Sequence, residues 1–184
     1  MASTNTLSRS LHDIGLSAWF GGTLANAVAL NKAASAANGS HATGAVANDG
    51  WDRWTPVNAA AIGAHLVGSV GQLAGNADRV AAQRGVGAMA VLKTVLTAAA
   101  LGVTGYSRYL GRTVSRAGAV PAASATEPTS GTPAEVADAQ RRLDRLQWIV
   151  PAATGSLVVL SAFAGEQQRP SRVREGVTAR LRRG

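Results

Sequence analysis

Cysteine is absent from this 184-residue chain, which excludes disulfides, thiolate catalysis and cysteine-ligated zinc or iron–sulfur clusters. Aromatic residues make up only 4% of the sequence. Lysine occurs only at Lys32 and Lys93, so arginine supplies nearly all of the basic charge in a net charge of +8. With abundant Ala, Gly and Val, this composition is typical of a bacterium with a GC-rich genome. No catalytic or cofactor motif is recognisable, so we expect neither enzymatic activity nor a bound cofactor.

Four apolar stretches rich in Ala, Gly, Val and Leu divide the chain, near residues 11–34, 54–75, 86–110 and 147–164. Each is about long enough to cross a bilayer core of roughly 30 Å. The sequence therefore predicts one all-α domain, a four-transmembrane-helix bundle of the bacterial inner membrane. Two alternatives remain: a cleaved signal peptide, since Ala34–Ala36 resembles a cleavage site, and a soluble Ala-rich bundle.

Two polar segments flank the fourth stretch. The insert 115–132 is rich in Ala, Ser, Thr, Pro and Gly, a composition that predicts a flexible linker. Thr132, Pro133 and Glu135 then provide an N-cap, a first-turn proline and an acidic third residue, which predict an amphipathic helix leading into helix four. The basic tail 165–184 predicts attachment to anionic lipid, and we expect no nucleic acid partner because the tail has no aromatic residue.

The aromatic residues predict an orientation, because Trp and Tyr favour the membrane interface. In an up-down bundle they would all lie on one membrane face: Trp51, Trp54, Tyr106, Tyr109 and Trp148. The opposite face would carry both termini, with nine Lys and Arg against eight on the aromatic face. This small excess favours cytoplasmic N- and C-termini.

Five polar residues within the apolar stretches are the candidate functional residues: Lys93, Asp13, His65, Asn26 and Asn58. Lys93 is the most prominent because an ammonium group in hydrocarbon often marks an ion or proton pathway. It lies about two turns from a helix end, so snorkelling to the headgroups is the other interpretation. Asp13 is the partner we expect for a functional Lys93. The two asparagines are more typical of hydrogen bonds between helices.

Two histidines could in principle bind haem or a metal, as imidazoles from two helices facing one interior would. His12 is expected at the end of the first helix and His65 about midway along the second. These different expected depths argue against joint ligation, so we predict no metal site.

Small residues are the most repeated feature of the apolar stretches, and in lipid they allow close helix packing. The predicted packing residues are Gly21, Gly22, Gly68, Gly71 and Gly75. The pair Gly71 and Gly75 has the spacing of a dimer contact, so a homo-oligomer is the alternative to packing within one bundle.

In the first stretch, residues Ser17 to Gly22 read Ser-Ala-Trp-Phe-Gly-Gly. A tryptophan followed by paired glycines resembles the first helix of small four-helix membrane proteins related to the copper-resistance CopD family. The resemblance implies the four-helix membrane fold and no functional residue.

These features together favour a non-enzymatic integral membrane protein, an accessory subunit or scaffold bound to a membrane protein partner. The first alternative is a small transporter or proton-linked channel that uses Lys93. The second is a haem- or quinone-linked membrane enzyme.

Overall fold

The computed structural model of this chain describes residues 5–77 and 84–166, and no β-strand forms within these ranges. Four long helical segments make up the fold. Their elements are α1 (Thr6–Ala25), a π-helical segment (Asn26–Leu30), α2 (Asn31–Ala33), a 3-10 turn (Ala34–Ala36), α3 (Ser40–Gly75), α4 (Arg84–Arg116) and α5 (Ala134–Glu166). The all-α prediction is confirmed. The predicted basic tail lies outside the described residues, apart from its first two positions.

The first helical segment starts earlier than the predicted residue 11. Its helix begins at Thr6, and the side chain of Asn5 donates a hydrogen bond to the carbonyl oxygen of Gly71 (3.1 Å) instead of capping its own helix. The π-helical segment and α2 extend it with helical geometry to Ala33. The observed helical segment therefore runs from Thr6 to Ala33, in place of the predicted helix of 11–34.

The largest difference from the predicted boundaries is in α3, which begins at Ser40 rather than near residue 54. Pro56 lies inside this helix, where it removes one backbone donor without ending the helix. At 1.5 Å per residue, the 36 residues of α3 span about 54 Å, well beyond a bilayer core of about 30 Å.

Helix α5 begins at Ala134, within one residue of the predicted start, and runs without a break through Pro151 to Glu166. The amphipathic segment and helix four are therefore one 33-residue helix. Helix α4 has the same length and also exceeds its predicted range of 86–110.

The first helical segment is the centre of the packing. Helix α1 packs along α3 and also against α5, and α4 packs mainly against α5. Helices α3 and α4 are neighbours in sequence but touch at few points, so a cleft lies between them. At the middle of the bundle, fully buried Trp19 packs with Ala61 of α3, Ala100 of α4 and Val150 of α5.

A second apolar cluster lies at the end of the bundle where α4 ends and α5 begins. Leu110 and Val114 of α4 pack there against Val136 and Ala139 of α5. This cluster is separate from the cluster around Trp19. We call this end of the bundle, where α4 ends and α5 begins, the head.

The insert between α4 and α5 is part of this head. Backbone hydrogen bonds join Ala122 to Ser40 and Ala125 to Asn31, both at 3.1 Å, and Ala122 is 2% exposed. Composition predicted a flexible linker over 115–132. The structure differs because small side chains also allow the chain to lie close against α2 and the start of α3.

Two helices in the described ranges are long and apolar enough to cross a membrane, Gly85–Arg116 and Ala134–Gly165. The other two segments of the predicted four-span bundle, 11–34 and 54–75, are not found to be long and apolar enough by the same criterion. Polar residues interrupt both, and the first half of α3 is polar.

Candidate functional site

Two buried histidines face each other between α1 and α3. His12 is 2% exposed and His65 1% exposed, and their ring centroids lie 4.6 Å apart. The Nδ1 of His12 is 2.7 Å from the carboxylate of Asp13, and the Nδ1 of His65 is 3.5 Å from the carbonyl oxygen of His12. Because a carboxylate can only accept, the short contact with Asp13 assigns the proton of His12 to its Nδ1. Neither Nε2 atom has a hydrogen-bond partner in the described ranges.

This pairing corrects the prediction that the two histidines lie at different depths. Helix α1 begins at Thr6, so His12 is more than one turn inside it rather than at its end. Helix α3 runs antiparallel to α1, which brings His65 to the same level. Depth therefore does not separate the two imidazoles. Among the described residues, however, His, Cys, Asp and Glu form no group of three or more that could hold a metal ion.

The two histidines line a cavity of about 350 Å³ in the cleft between α3 and α4. Lys93 of α4 is half-buried and lines the same cavity, so it faces the bundle. Asp13 is within electrostatic range of Lys93, but its side chain is 58% exposed and its carboxylate binds His12. The rest of the lining is mainly aliphatic. The structure therefore brings together His12, His65 and Lys93, with Asp13 at the edge of the group.

The two predicted asparagines lie apart from this group. Asn26 is 7% exposed within the π-helical segment and does not line the histidine cavity. Asn58 lines a second cavity, of about 230 Å³, nearer the head. This second cavity also lies in the cleft between α3 and α4.

Four buried polar atoms find no hydrogen-bond partner in the part of the chain that the structure describes, and each belongs to a residue that lines the second cavity. They are Nε1 of Trp54, Oδ1 of Asn58, Oγ1 of Thr104 and Nε of Arg108. Sequence reasoning identified only Asn58. The available signal was spacing, since each helix contributes two polar residues four positions apart and hence on one face.

A hydrogen-bond network closes the head side of this cavity. Asn31 accepts from the indole N–H of Trp51 (3.1 Å) and donates to the side-chain oxygen of Gln147 (2.7 Å). Gln147 in turn donates to Asp144 (2.8 Å), which also accepts from Thr126 (3.1 Å). The network joins α2, α3, α5 and the insert. It was missed because its members are far apart in sequence.

Most of the predicted packing glycines lie at the contact between α1 and α3. A Cβ atom on Gly68 would overlap the backbone of α1 at Ser8 and His12. One on Gly71 would overlap the Ser8 side chain, and one on Gly75 would meet Asn5 at 2.5 Å. The face of the Gly71 and Gly75 pair is thus covered by α1, which leaves it unavailable to a second copy of the chain.

The two glycines predicted in helix one behave differently. Gly22 accommodates the indole ring of Trp54, because a Cβ atom there would overlap that ring. A Cβ atom on Gly21 would meet no atom of the described neighbouring segments within 4 Å, so Gly21 makes no helix contact there. The paired glycines therefore do not act as one packing motif.

Comparisons with protein-family models, with curated proteins and with solved structures find no match to this chain. Its function is therefore inferred from its sequence and geometry alone.

Proposed function

We propose that this chain is a non-enzymatic, multi-pass protein of the bacterial inner membrane that serves as an accessory subunit or scaffold of a larger membrane complex. The supporting observation is the exposure of its most apolar helices. Only 6% of the most apolar stretch of α4 and 22% of that of α5 are buried. The core helix of a water-soluble bundle would bury most of such a stretch, because exposed apolar surface is unfavourable in water.

The exposed side chains support the same proposal for the remaining helices. Val67 and Val70 of α3 are 62% and 67% exposed, and Val28 in the π-helical segment is 60% exposed. Val70 lines the histidine cavity together with Met89 and Ala90 of α4, so this part of α3 lies level with the apolar part of α4. A four-span topology follows if all four segments are in lipid, with both termini on the cytoplasmic side and the head on the other.

Helix α4 is the element best suited to bind a membrane protein partner. Among the described residues it packs mainly against α5 and touches α3 at few points. Its outward face carries Val91, Leu92 and Val95, which are 64%, 46% and 59% exposed. A partner helix on this face would be held by van der Waals packing, the main source of helix association in lipid.

Membrane insertion is tested first by fractionating cells that express the tagged protein at its native level. The proposal expects the protein in the membrane pellet after a carbonate wash and its release only by detergent. Recovery in the soluble fraction without detergent would contradict it.

Association is tested by purification in mild detergent followed by mass spectrometry, with a photoreactive residue in place of Val95. The proposal expects stoichiometric co-purification of a membrane complex and a crosslink from position 95 to one of its subunits. The same photoreactive residue in place of Asp138, which is exposed in the head, is the matched control and should give no crosslink to that subunit. A lone species in both preparations would refute an accessory role.

A second candidate function, a small transporter or proton-linked channel, is favoured by the cavity that contains Lys93. The Nε2 atoms of its two histidines have no hydrogen-bond partner among the described residues, and Asp13 connects His12 with the surface of the bundle. Such a series of exchangeable groups at membrane depth is typical of proton pathways.

The two lysines of the chain provide a matched test of this second function. Lys32 is 75% exposed and pairs with Glu127 in the head, whereas Lys93 lines the cavity. In liposomes with an internal pH-sensitive dye, a proton pathway predicts that Lys93→Met abolishes flux and Lys32→Met leaves it unchanged. Equal flux in both variants, or no flux in the unmodified protein, would refute it.

A further inference from the structure

The cavity lined by His12 and His65, the histidine cavity, contains a cation whose charge is not paired by the described residues. Within that part of the chain, the Lys93 ammonium group makes no hydrogen bond and no ion pair. Asp13 is near enough to act on it electrostatically, but the Asp13 carboxylate binds His12 instead. A half-buried cation loses hydration, and an anion beside it would compensate for that loss. Lys93 therefore offers a place for an anion that enters the cavity.

Two polar atoms on α4 are open to such an anion. In the described ranges, the buried polar atoms that lack a partner include neither Nζ of Lys93 nor Oγ1 of Thr97. Since neither atom has a hydrogen bond to a described residue, both must be accessible. Thr97 is one turn after Lys93 and lines the same cavity. The Lys93 ammonium is within electrostatic range of both histidine rings across the cavity, so it is directed inward.

The charges around the cavity also favour an anion. Lys93 and Arg9 are positive and Asp13 is negative, and all three act electrostatically on His12. Two positive charges and one negative charge leave a net charge of +1 among these groups. A net positive charge beside a cleft with apolar walls attracts anions and raises their local concentration.

The walls and the size of the cavity define the rest of the ligand. The walls are mainly aliphatic, with Leu66, Val70 and Leu73 from α3 and Met89 and Leu101 from α4. The volume of about 350 Å³ is at the lower end of the range for small-molecule sites. At roughly 30 Å³ for each non-hydrogen atom, as for water in the liquid, the cavity holds about ten to twelve such atoms. One short acyl chain with a charged end has this size, whereas a two-chain phospholipid is several times larger.

We propose that the histidine cavity binds a medium-chain fatty acid as its carboxylate, with the carboxylate on Lys93 and Thr97 and the acyl chain along the aliphatic walls. The ammonium N–H and the hydroxyl O–H both donate to the carboxylate. Charge-assisted hydrogen bonds of this kind are about twice as strong as neutral ones. The site goes beyond the proposed accessory role and does not rest on it, because it is formed within one chain.

The chain has only two lysines, which makes the site directly observable. In full-length protein with isotope-labelled lysine, NMR should show two sets of side-chain signals, and Lys93→Met assigns them by removing one. Decanoate, titrated in a neutral detergent, should shift the Cε and Nζ signals of Lys93 to saturation. The signals of Lys32, which is 75% exposed and pairs with Glu127 in the head, are the internal control and should not move.

Two further probes separate the charge and the size of the ligand. Decan-1-ol has the same chain length without the charge and should bind at least about tenfold more weakly than decanoate. Phosphatidylglycerol carries an anionic phosphate on two acyl chains and should give no saturable shift of Lys93, because it exceeds the volume of the cavity.

Native mass spectrometry of the same preparation measures bound decanoate in the variants. Lys93→Met should weaken binding at least about tenfold, whereas Lys93→Arg, which keeps the charge, should retain it. Lys32→Met is the matched control and should leave binding unchanged. Thr97→Val removes one hydroxyl group with little change of shape and should weaken binding about fivefold.

A second pair of variants keeps the proposal testable if Lys93→Met fails to fold by circular dichroism. Ala90→Leu adds a side chain to the α4 wall of the cavity and should weaken binding at least about fivefold through overpacking. Ala99→Leu is the matched control, because Ala99 is exposed on α4 and lies outside both cavities described above.

Four results would each overturn the site. They are an equal shift of both lysines or of neither, binding of decan-1-ol as tight as that of decanoate, a saturable shift of Lys93 with phosphatidylglycerol alone, and cavity variants that bind as tightly as their controls.

Discussion

The contact between α1 and α3 depends on glycine at position 68, and replacing it with alanine tests the packing directly. A Cβ atom on Gly68 would overlap backbone atoms of Ser8 and His12. Backbone atoms cannot move away by changing rotamer, so the two helices must separate. That separation would also loosen the contact between His12 and His65, whose rings lie 4.6 Å apart beside this point.

The size of the effect is obtained by comparison with Gly63→Ala on the same helix. Gly63 has open space within 4 Å in the described structure, so alanine there gains up to about 1 kcal/mol in helix propensity without a steric penalty. Gly68→Ala gains the same propensity but adds overpacking of typically about 1–3 kcal/mol. The difference between the two variants isolates the steric term, because the propensity gain cancels.

The assay is thermal unfolding in mild detergent, monitored by the change in tryptophan fluorescence. For a chain of this size, 1 kcal/mol changes Tm by about 2–4 °C, so Gly68→Ala should melt about 2–12 °C below Gly63→Ala. Gly15→Ala should resemble Gly68→Ala, because a Cβ atom there would overlap the α3 backbone at Ala61 and His65. Equal Tm values for the Gly63 and Gly68 variants would refute the close contact of α1 with α3.

Three further predictions concern the core and the head. Asn31→Ala should lower the free energy of unfolding by about 2–4 kcal/mol in urea titrations, because it removes a buried side chain and leaves its half-buried indole and amide partners unpaired. Asn48→Ala, at an exposed hydrogen bond, should change the free energy of unfolding by less than about 1 kcal/mol. Equal effects of the two variants would contradict the network. Trp19→Ala should lower the free energy of unfolding by about 3–5 kcal/mol, and Trp148→Ala, at a residue 52% exposed, should lower it by less than about 1 kcal/mol. The reverse order would show that Trp19 is not in the core. Amide hydrogens of the insert 117–133 that bond to the helices should exchange slowly by mass spectrometry, and exchange at random-coil rates would restore the flexible-linker prediction.

The helices were predictable from the sequence where the apolar pattern is strong, and the boundaries were not where the chain is polar. The helix start at Ala134 carries its own local signals and was found to within one residue. The first half of α3 has no apolar periodicity and contains Pro56, so local reasoning placed the helix start too late. Its helical structure is instead supported by tertiary contacts, such as the hydrogen bond from Ala122 of the insert to Ser40.

The candidate site was also predictable only in part: some of its residues were identified from the sequence, but not how they come together. Lys93 and His65 were identified because an ionisable residue within an apolar stretch is conspicuous. Their association with His12 could not be predicted, because it depends on the start of α1 and on the antiparallel register of α1 and α3. The second cavity was missed because Trp54 and Arg108 each look like ordinary interface residues. They line one cavity together with Thr104 only because α3 and α4 face each other across a cleft, which is a property of the tertiary structure.

The two cavities share one physical origin in the distribution of side-chain size around α1. Glycines bring α3 close to α1, as at Gly15 and Gly68, but one turn after Gly15 the same face of α1 carries Trp19, one of the largest fully buried side chains in the described ranges. The indole ring packs between Ala61 of α3 and Ala100 of α4, where small residues leave room for it. Since the ring lies between α3 and α4, these helices cannot close, and the cleft remains open above and below it. Along α4, Thr97 lines the histidine cavity and Thr104 the polar cavity, one on each side of Ala100. The two cavities are therefore neighbouring parts of one cleft, and the large Trp19 side chain helps to keep that cleft open.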